Sequence, residues 1–266
     1  MTLQQTVQII SNTTVSEGYF KIRVACGFNY KDSVPGQFVT LRLPGRTEPL
    51  LRRPFSINRL MAGVNNENLQ MDILYRVVGG FTLQLSEMEP GDSIDMLGPV
   101  GRGFTVKRHS RKVALAAGGI GVAPLVFLAE RLRQAGTDMD LVTVFLGGRT
   151  KTDILCKDIF ADLGADIRVA TEDGSAGQQG LVTDLMQAWM DESIPAMVYA
   201  CGPDPMLKAV GEMAESRDIY CEVSIETLMA CGLGVCMGCA VHTKDSGEGY
   251  RHACKHGPVF DSRILA

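Results

Sequence analysis

Hydrophobic and polar positions alternate, or close into short apolar runs, at residues 7–10, 19–24, 37–43 and 70–78. A period of two puts one face of a segment in a core and the other toward water, as half-buried strands do. Turn formers such as Pro35-Gly36, Pro44-Gly45 and Pro90-Gly91 separate these runs. Residues 1–105 therefore read as an antiparallel barrel or sandwich, with one helix near 81–87. From about Lys112 the pattern becomes strand, glycine turn, helix. Residues 113–117 run into Gly118-Gly119-Ile120-Gly121-Val122-Ala123-Pro124 and then a helical stretch to Gln134. Strands at 141–146, 167–170 and 197–200, with helices near 182–190 and from Pro205, continue the alternation. That order predicts an α/β domain with a doubly wound parallel sheet over residues 106–220. The last stretch, 221–266, is too short for a core of its own and needs a staple.

The staple is in the sequence. Cys231, Cys236 and Cys239 stand as C-x4-C-x2-C, and Cys254 follows after fourteen intervening residues. This is the spacing of plant-type [2Fe–2S] ligation, with glycines between the ligands that let a loop fold tightly. A structural zinc site is the alternative reading, although zinc normally takes two C-x2–4-C hooks and only one is present. Cys26, Cys156, Cys201 and Cys221 lack ligand spacing and read mostly as small core residues.

Composition narrows the classes. At 266 residues and 45% hydrophobic the chain can fill two packed cores. A net charge of −4 gives no basic footprint for nucleic acid. The longest apolar stretch, 113–129, is interrupted by Gly118, Gly119, Gly121 and Pro124, so no membrane span is expected. The residues from Met1 to Thr6 lack the pattern of a signal peptide, and unpaired thiols suit a reducing cytoplasm.

Two glycine turns sit where open α/β sheets bind ligands. Gly118, Gly119 and Gly121 lie between a strand and a helix, where backbone can approach a pyrophosphate. Cys201, Gly202 and Pro203 form a second loop before a helix with proline in its first turn. A plain tight turn would look the same. In the β segment, Arg53-Pro54-Phe55-Ser56 combines a cation, a ring and a hydroxyl; a strand with one surface arginine is the bland alternative. Chemistry links these features. An iron–sulfur cluster passes single electrons and a nicotinamide exchanges a hydride, so a flavin is required between them.

Barrel, R-P-F-S, G-G-I-G, C-G-P and the cysteine run, in this order, resemble the ferredoxin–NADP reductase superfamily. Within it the chain looks like the electron-transfer subunits of dihydroorotate dehydrogenase B, most specifically over Glu226 to Cys239, Cys254 and Gly257 to Phe260. The resemblance covers essentially the whole chain. It implies an FAD-binding barrel (1–105), an NAD-binding α/β domain (106–220) and a [2Fe–2S] module (221–266). Carried over by motif, Arg53, Pro54, Phe55 and Ser56 would hold FAD from one side, and Leu74, Tyr75 and Arg76 from the other. Gly80, Phe81 and Thr82 fall on the next signature, where Phe81 replaces a glycine and puts the local backbone in question. Gly118, Gly119, Gly121, Cys201, Gly202 and Pro203 would flank the nicotinamide nucleotide, and Cys231, Cys236, Cys239 and Cys254 would hold the cluster. Glu172-Asp173-Gly174 resembles the family's stretch after its third sheet strand. Arg149 leaves NADP open, but the run from Arg149 to Leu155 is more like NADH-linked reductases, and NAD is expected.

The resemblance further implies an FMN-containing catalytic partner that oxidises dihydroorotate to orotate, in a heterotetramer with two of each subunit, in the cytoplasm. The same three-part plan serves sulfide dehydrogenases, ferredoxin:NADP oxidoreductases, and hydrogenase or sulfite reductase subunits. A zinc-stapled nucleotide-binding regulator is a remoter alternative. No residue stands out as an acid–base catalyst for an organic substrate. His109, His242, His252 and His256 read as surface residues.

Overall fold

The computed structural model describes residues 2–45, 48–63, 68–244 and 249–265; Met1 of the leader reading lies outside them. Strands β1 (Leu3–Ser16), β2 (Tyr19–Cys26), β3 (Phe38–Arg42), β4 (Arg53–Ser56), β5 (Arg59–Ala62) and β6 (Leu69–Arg76) are followed by helix α1 (Gly80–Ser86) and β7 (Ser93–Val100). Among the described residues they form one sheet in the order β4-β3-β7-β1-β2-β6-β5, with antiparallel neighbours throughout. Its edge strands β4 and β5 are joined only by Ile57 and Asn58, whose N–H groups donate to Gln37 O (3.1 Å) and Asp72 O (2.9 Å). The sheet thus curls until its two edges lie side by side, which is the expected barrel. Val7, Ile9, Ile22, Val24, Leu41, Ile73 and Met96 fill its interior.

The second sheet is built from β8 (Val113–Gly118), helix α2 (Val122–Gln134), β9 (Val142–Gly148), α3 (Lys157–Leu163), β10 (Asp166–Thr171) and β11 (Gln178–Gln179). It continues through α4 (Val182–Glu192), β12 (Met197–Cys201), α5 (Asp204–Glu215) and β13 (Cys221–Ser224). Strand order is β11-β10-β9-β8-β12-β13, parallel throughout. The period of two in β8 shows why both faces need helices: Val113, Leu115 and Ala117 pack into the core containing α2, Ala114 and Ala116 into the opposite one with α4 and α5. In the C-terminal part, β14 (Ala240–His242) pairs with β15 (Tyr250–His252), then α6 (Ala253–His256) leads to β16 (Val259–Asp261). Strand β16 adds to β13 in antiparallel fashion, so the second sheet is mixed at that edge. The expected boundary at 220/221 therefore falls at the start of a strand of this sheet. The cysteine-bearing loops hang between two of its strands, β13 and β16.

Barrel and second domain share cores. Tyr19 and Leu74 of the barrel pack into the core that holds Val122 and Leu125, and Phe127 of α2 packs into the barrel core. Asn58, fully buried, donates from Nδ2 to Ala123 O (2.8 Å). The connection 101–112 is pinned by Thr105, whose N–H and Oγ1–H reach Glu222 at 2.8 and 2.6 Å. One expectation fails here. His109 is buried, its N–H donating to Thr137 Oγ1 (3.0 Å) and its Nε2 lying 3.2 Å from Tyr199 Oη. Tyr199 already donates to Thr105 O, so its oxygen accepts from the imidazole, and burial holds the His109 pKa below its ordinary value. Among the described residues no helix is long and apolar enough to cross a membrane.

Candidate redox site

A cleft of about 520 Å³ lies between the barrel and the carboxyl ends of β8, β12 and β13. Arg53, Pro54, Phe55 and Ser56 on β4, Leu74, Tyr75 and Arg76 on β6, and Gly80, Phe81 and Thr82 at α1 all line it. The bulk of Phe81 is accommodated: its ring is buried, 6.0 Å from that of Phe55. The Arg53 guanidinium lies 6.0 Å above it. Among the described residues Arg53 donates only to the backbone carbonyls of Leu51 and Arg52, which leaves its charge for an anion. Tyr75 is an anchor rather than an open ring. Its hydroxyl donates to Asn12 Oδ1 (2.9 Å), and burial pushes its phenol up to about 12. Thr82 faces inward as well; its Oγ1 accepts from the N–H groups of Val78 (2.9 Å) and Gly79 (3.1 Å) and donates to Gly79 O. Beside it, Cβ atoms at Gly79 or Gly80 would meet nothing within 4 Å, so the loop faces open space.

The opposite wall holds residues that the motifs did not assign to a flavin site: Ser224, Ile225, Glu226, Thr227 and Met229, with Pro258. Thr227 Oγ1 is buried and has no partner among the described residues. Partial desolvation by the cleft wall, and the neighbouring Asp204, raise the Glu226 pKa although the residue stays exposed. Such an apolar and aromatic slot, with the Arg53 guanidinium and an orphaned hydroxyl on its walls, fits a flat heteroaromatic ring bearing phosphates.

A second cavity, about 390 Å³, opens over the ends of β8, β9 and β10. Gly118, Gly119 and Pro203 line it, whereas Gly121 and Cys201 line the larger cleft and Gly202 lines neither. Gly202 instead backs onto Gly118, where an added Cβ would stand 3.0 Å from Gly118 N. These glycines allow the two loops to close on each other. Tyr19 also lines this cavity; its hydroxyl donates to Asp153 Oδ1 (2.6 Å), and the Arg76 guanidinium lies 5.3 Å from its ring centroid. Asp153 lies 134 positions along the chain from Tyr19, a contact that no local motif could reveal.

The four cysteines form two pairs. Cys231 Sγ accepts from the N–H groups of Leu233 (3.3 Å) and Cys236 (3.4 Å), and Cys239 Sγ lies 3.2 Å from Cys254 Sγ. Burial would raise the Cys231 pKa, but the backbone donors of Leu233, Cys236 and Val235 outweigh it and hold the thiol down to about 6. Burial, with Cys239 beside it, pushes Cys254 up to about 12. Gly232 and Gly234 take positive φ (+69° and +79°) to bend the loop around Cys231. Among the described residues no three His, Cys, Asp or Glu side chains already close on one ion. Two cysteine pairs under backbone donors suit two irons with two thiolates each. His252 and His256 are half-buried beside this loop, the His252 N–H donating to His256 Nδ1 (3.1 Å).

The three sites are contiguous. Phe38, Ile225 and Met229 line the larger cleft and also pack with Cys239 and Cys254. Arg76 and Ile120 line both the cleft and the second cavity. Residues 226–266 match the family model of the iron–sulfur cluster binding domain of dihydroorotate dehydrogenase B, and residues 115–212 that of the oxidoreductase NAD-binding domain. The dihydroorotate dehydrogenase B (NAD(+)) electron transfer subunit of Desulforamulus reducens is 46% identical over 231 residues, covering 86% of either chain.

The chain belongs to this family of electron transfer subunits. The corresponding subunit of Caldanaerobacter subterraneus subsp. tengcongensis is 36% identical over 95% of this chain and 94% of its own. Among solved structures, an NADH-dependent reduced ferredoxin-NADP oxidoreductase superposes with a TM-score of 0.83 at 29% identity, over 98% of this chain and 89% of its own. The cytochrome b5 reductase domain of Ulva prolifera nitrate reductase shares the fold at 18% identity, with a TM-score of 0.60 over 82% of this chain and 94% of its own. The family resemblance drawn from the motifs therefore holds, as does the fold.

Proposed function

We propose that the chain is the electron-transfer subunit of a dihydroorotate dehydrogenase, taking electrons from an FMN-containing catalytic subunit that converts dihydroorotate to orotate and delivering them to NAD+. Residues 1–105 form the FAD-binding domain, 106–220 the NAD-binding domain and 221–266 the cluster module, the last anchored through β13 and β16. When bound, a [2Fe–2S] cluster and FAD supply the exchange between single electrons and a hydride. The protein supplies position and dryness. Cys231, Cys236, Cys239 and Cys254 hold the cluster. Arg53, Pro54, Phe55 and Ser56 with Leu74, Tyr75 and Arg76 hold the flavin, and Gly80, Phe81 and Thr82 shape the loop beside it. Gly118, Gly119 and Pro203 border the nicotinamide nucleotide; Gly121, Cys201 and Gly202 let the two loops close.

The observation that carries this reading is the shared walls: Phe38, Ile225 and Met229 on one side, Arg76 and Ile120 on the other. Exposed Leu228, Leu233, Val235 and Met237 surround the cysteine loop and suit the docking face for the partner, in a cytoplasmic heterotetramer with two of each subunit. Reading the same relay into a ferredoxin-NADP oxidoreductase complex is favoured only by the TM-score of 0.83.

The test is an anaerobic visible spectrum of the purified chain, with iron, sulfide and FAD quantified, before and after NADH. Flavin bands over a broad iron–sulfur absorption, bleached by NADH, are expected. Cys236→Ser should lose iron and the long-wavelength absorption yet keep NADH-dependent dye reduction. A sample that stays colourless after reconstitution would sink the relay. Dihydroorotate oxidation by a co-purifying flavoprotein separates the two complexes.

A further inference from the structure

The floor beneath the cysteine loop belongs to the barrel. Strand β3 turns Val39 and Leu41 into the barrel interior, so Phe38, Thr40 and Arg42 face outward. Phe38, with Leu97 and Val100 of β7, packs against Cys239 and Cys254. Thr40 meets the loop one residue past Cys231. A Cβ added to Gly232 would stand 3.0 Å from Thr40 Cγ2 and 3.8 Å from the Phe38 ring.

Thr40 is only 2% exposed, and its Oγ1 is buried with no hydrogen-bond partner among the described residues. Such a hydroxyl forfeits the water it gave up on folding, a loss that an apolar side chain of the same shape would avoid. The strand cannot carry it elsewhere. Thr40 sits mid-strand, paired with Pro54 of β4 and Leu97 of β7, and Arg52 Nη1 donates to its carbonyl (3.5 Å). The hydroxyl is therefore fixed on a rigid sheet, against the loop that carries a cysteine of the cluster set. Thr227 Oγ1, also orphaned, lines the flavin cleft instead.

Chemistry selects the missing acceptor. Within its own loop, Cys231 Sγ already draws the N–H groups of Leu233 and Cys236. An iron–sulfur cluster under four thiolates is anionic and becomes more so on reduction. Hydrogen bonds to its sulfurs therefore favour the reduced form and set the potential. We propose that the Thr40 hydroxyl donates a hydrogen bond to a sulfur of the cluster on its Cys231 side, so that the barrel tunes the potential of the cluster. Thr40 holds no iron; it acts on the electron that the cluster accepts. The proposal rests on reading the four cysteines as the [2Fe–2S] site.

The experiment is an EPR-monitored redox titration of the full chain carrying FAD and cluster, as wild type, Thr40→Val and Thr40→Ser, with iron and sulfide counted in each. All four cysteines remain, so each variant should hold as much iron as wild type. Thr40→Val removes the donor and keeps the shape. It should shift the one-electron equilibrium about tenfold toward the oxidised cluster, a potential lower by ~59 mV. Thr40→Ser keeps the donor and should retain the wild-type potential. The metal-free chain gives an independent reading: with no acceptor present, Thr40→Val should raise its urea midpoint. An unchanged potential in Thr40→Val, equal falls in both variants, or a lower metal-free midpoint for Thr40→Val would overturn the hydrogen bond while leaving the cluster reading intact. A wild type that takes up no iron and sulfide would overturn both.

Discussion

Gly121 offers the sharpest test of how the two halves of the site are held. Its φ of −60° suits any residue, so backbone freedom is not the reason for glycine. A Cβ built there stands 2.2 Å from Cys201 O, 2.5 Å from Cys201 C and 2.8 Å from Gly202 N, where real Cβ atoms stop near 3.0 Å. All three obstacles are backbone, at the end of a central strand, and cannot swing aside. Gly121→Ala must therefore part the turn before α2 from the loop before α5. Overpacking of this kind costs about 1–3 kcal/mol, and the rigid neighbours point to the upper half of that range. The functional loss should be larger, because Gly121 and Cys201 line the cleft while Gly118 and Pro203 line the adjoining cavity. A misplacement of about 1 Å can lower a rate by ~100-fold. Gly119→Ala is the control. Its Cβ has room, with Tyr19 Oη at 4.0 Å, but its φ of +52° imposes roughly 1–2 kcal/mol of backbone cost. Urea unfolding and stopped-flow bleaching of flavin absorbance by NADH would be measured on both. Both variants should be destabilised; Gly121→Ala should slow bleaching by more than tenfold, and Gly119→Ala, whose methyl has room although it faces the nucleotide cavity, by clearly less. A Gly121→Ala rate within twofold of wild type would refute the close-approach argument.

Three further predictions follow from named contacts. Because burial lowers the His109 pKa in the fold, the unfolded chain binds its proton first as pH falls. That stability is whole above the ordinary value of 6.5 and is lost below it; His109→Gln should flatten urea midpoints between about pH 7 and 5, and an unaltered profile would count against a buried neutral imidazole. Tyr19→Phe removes the hydrogen bond to Asp153 and should cost about 1.5–3 kcal/mol while raising the KM for NADH, read in a dye-reduction assay; loss of stability with unchanged KM would remove Tyr19 from the cavity wall. Thr82→Ala strips Val78 and Gly79 N–H of their acceptor and should cost about 1 kcal/mol, with weaker FAD retention on gel filtration; full retention would show the loop keeps its shape without the cap.

What the sequence reveals is decided by how far apart the contributing residues lie. Cys231, Cys236 and Cys239 are legible because one loop carries them, and so is R-P-F-S, because β4 presents all four residues to one cleft. The turn before α2 is legible for the same reason, but one part of its role is not. Gly121 and Gly202 serve contact between loops 81 positions apart, which composition cannot express. Strand β1 shows the limit for elements. Residues 11–16, Ser-Asn-Thr-Thr-Val-Ser, carry no apolar alternation, but they remain extended because Ser11 to Thr14 pair with Arg23 to Phe20 of β2. Strand β7 contains Gly98-Pro99, a turn signal in isolation; it continues because Gly98 lets β3 approach, with Val39 Cγ1 only 2.7 Å from an added Cβ. The wall opposite R-P-F-S was hidden more deeply. Ser224, Glu226 and Thr227 sit at the end of β13, a strand of four residues, and reach the cleft only because β13 is paired beside β12. A site assembled at a sheet edge is thus read from sequence one strand end at a time. The order of the strands, which decides what faces what, is contributed by pairing and has no local signature.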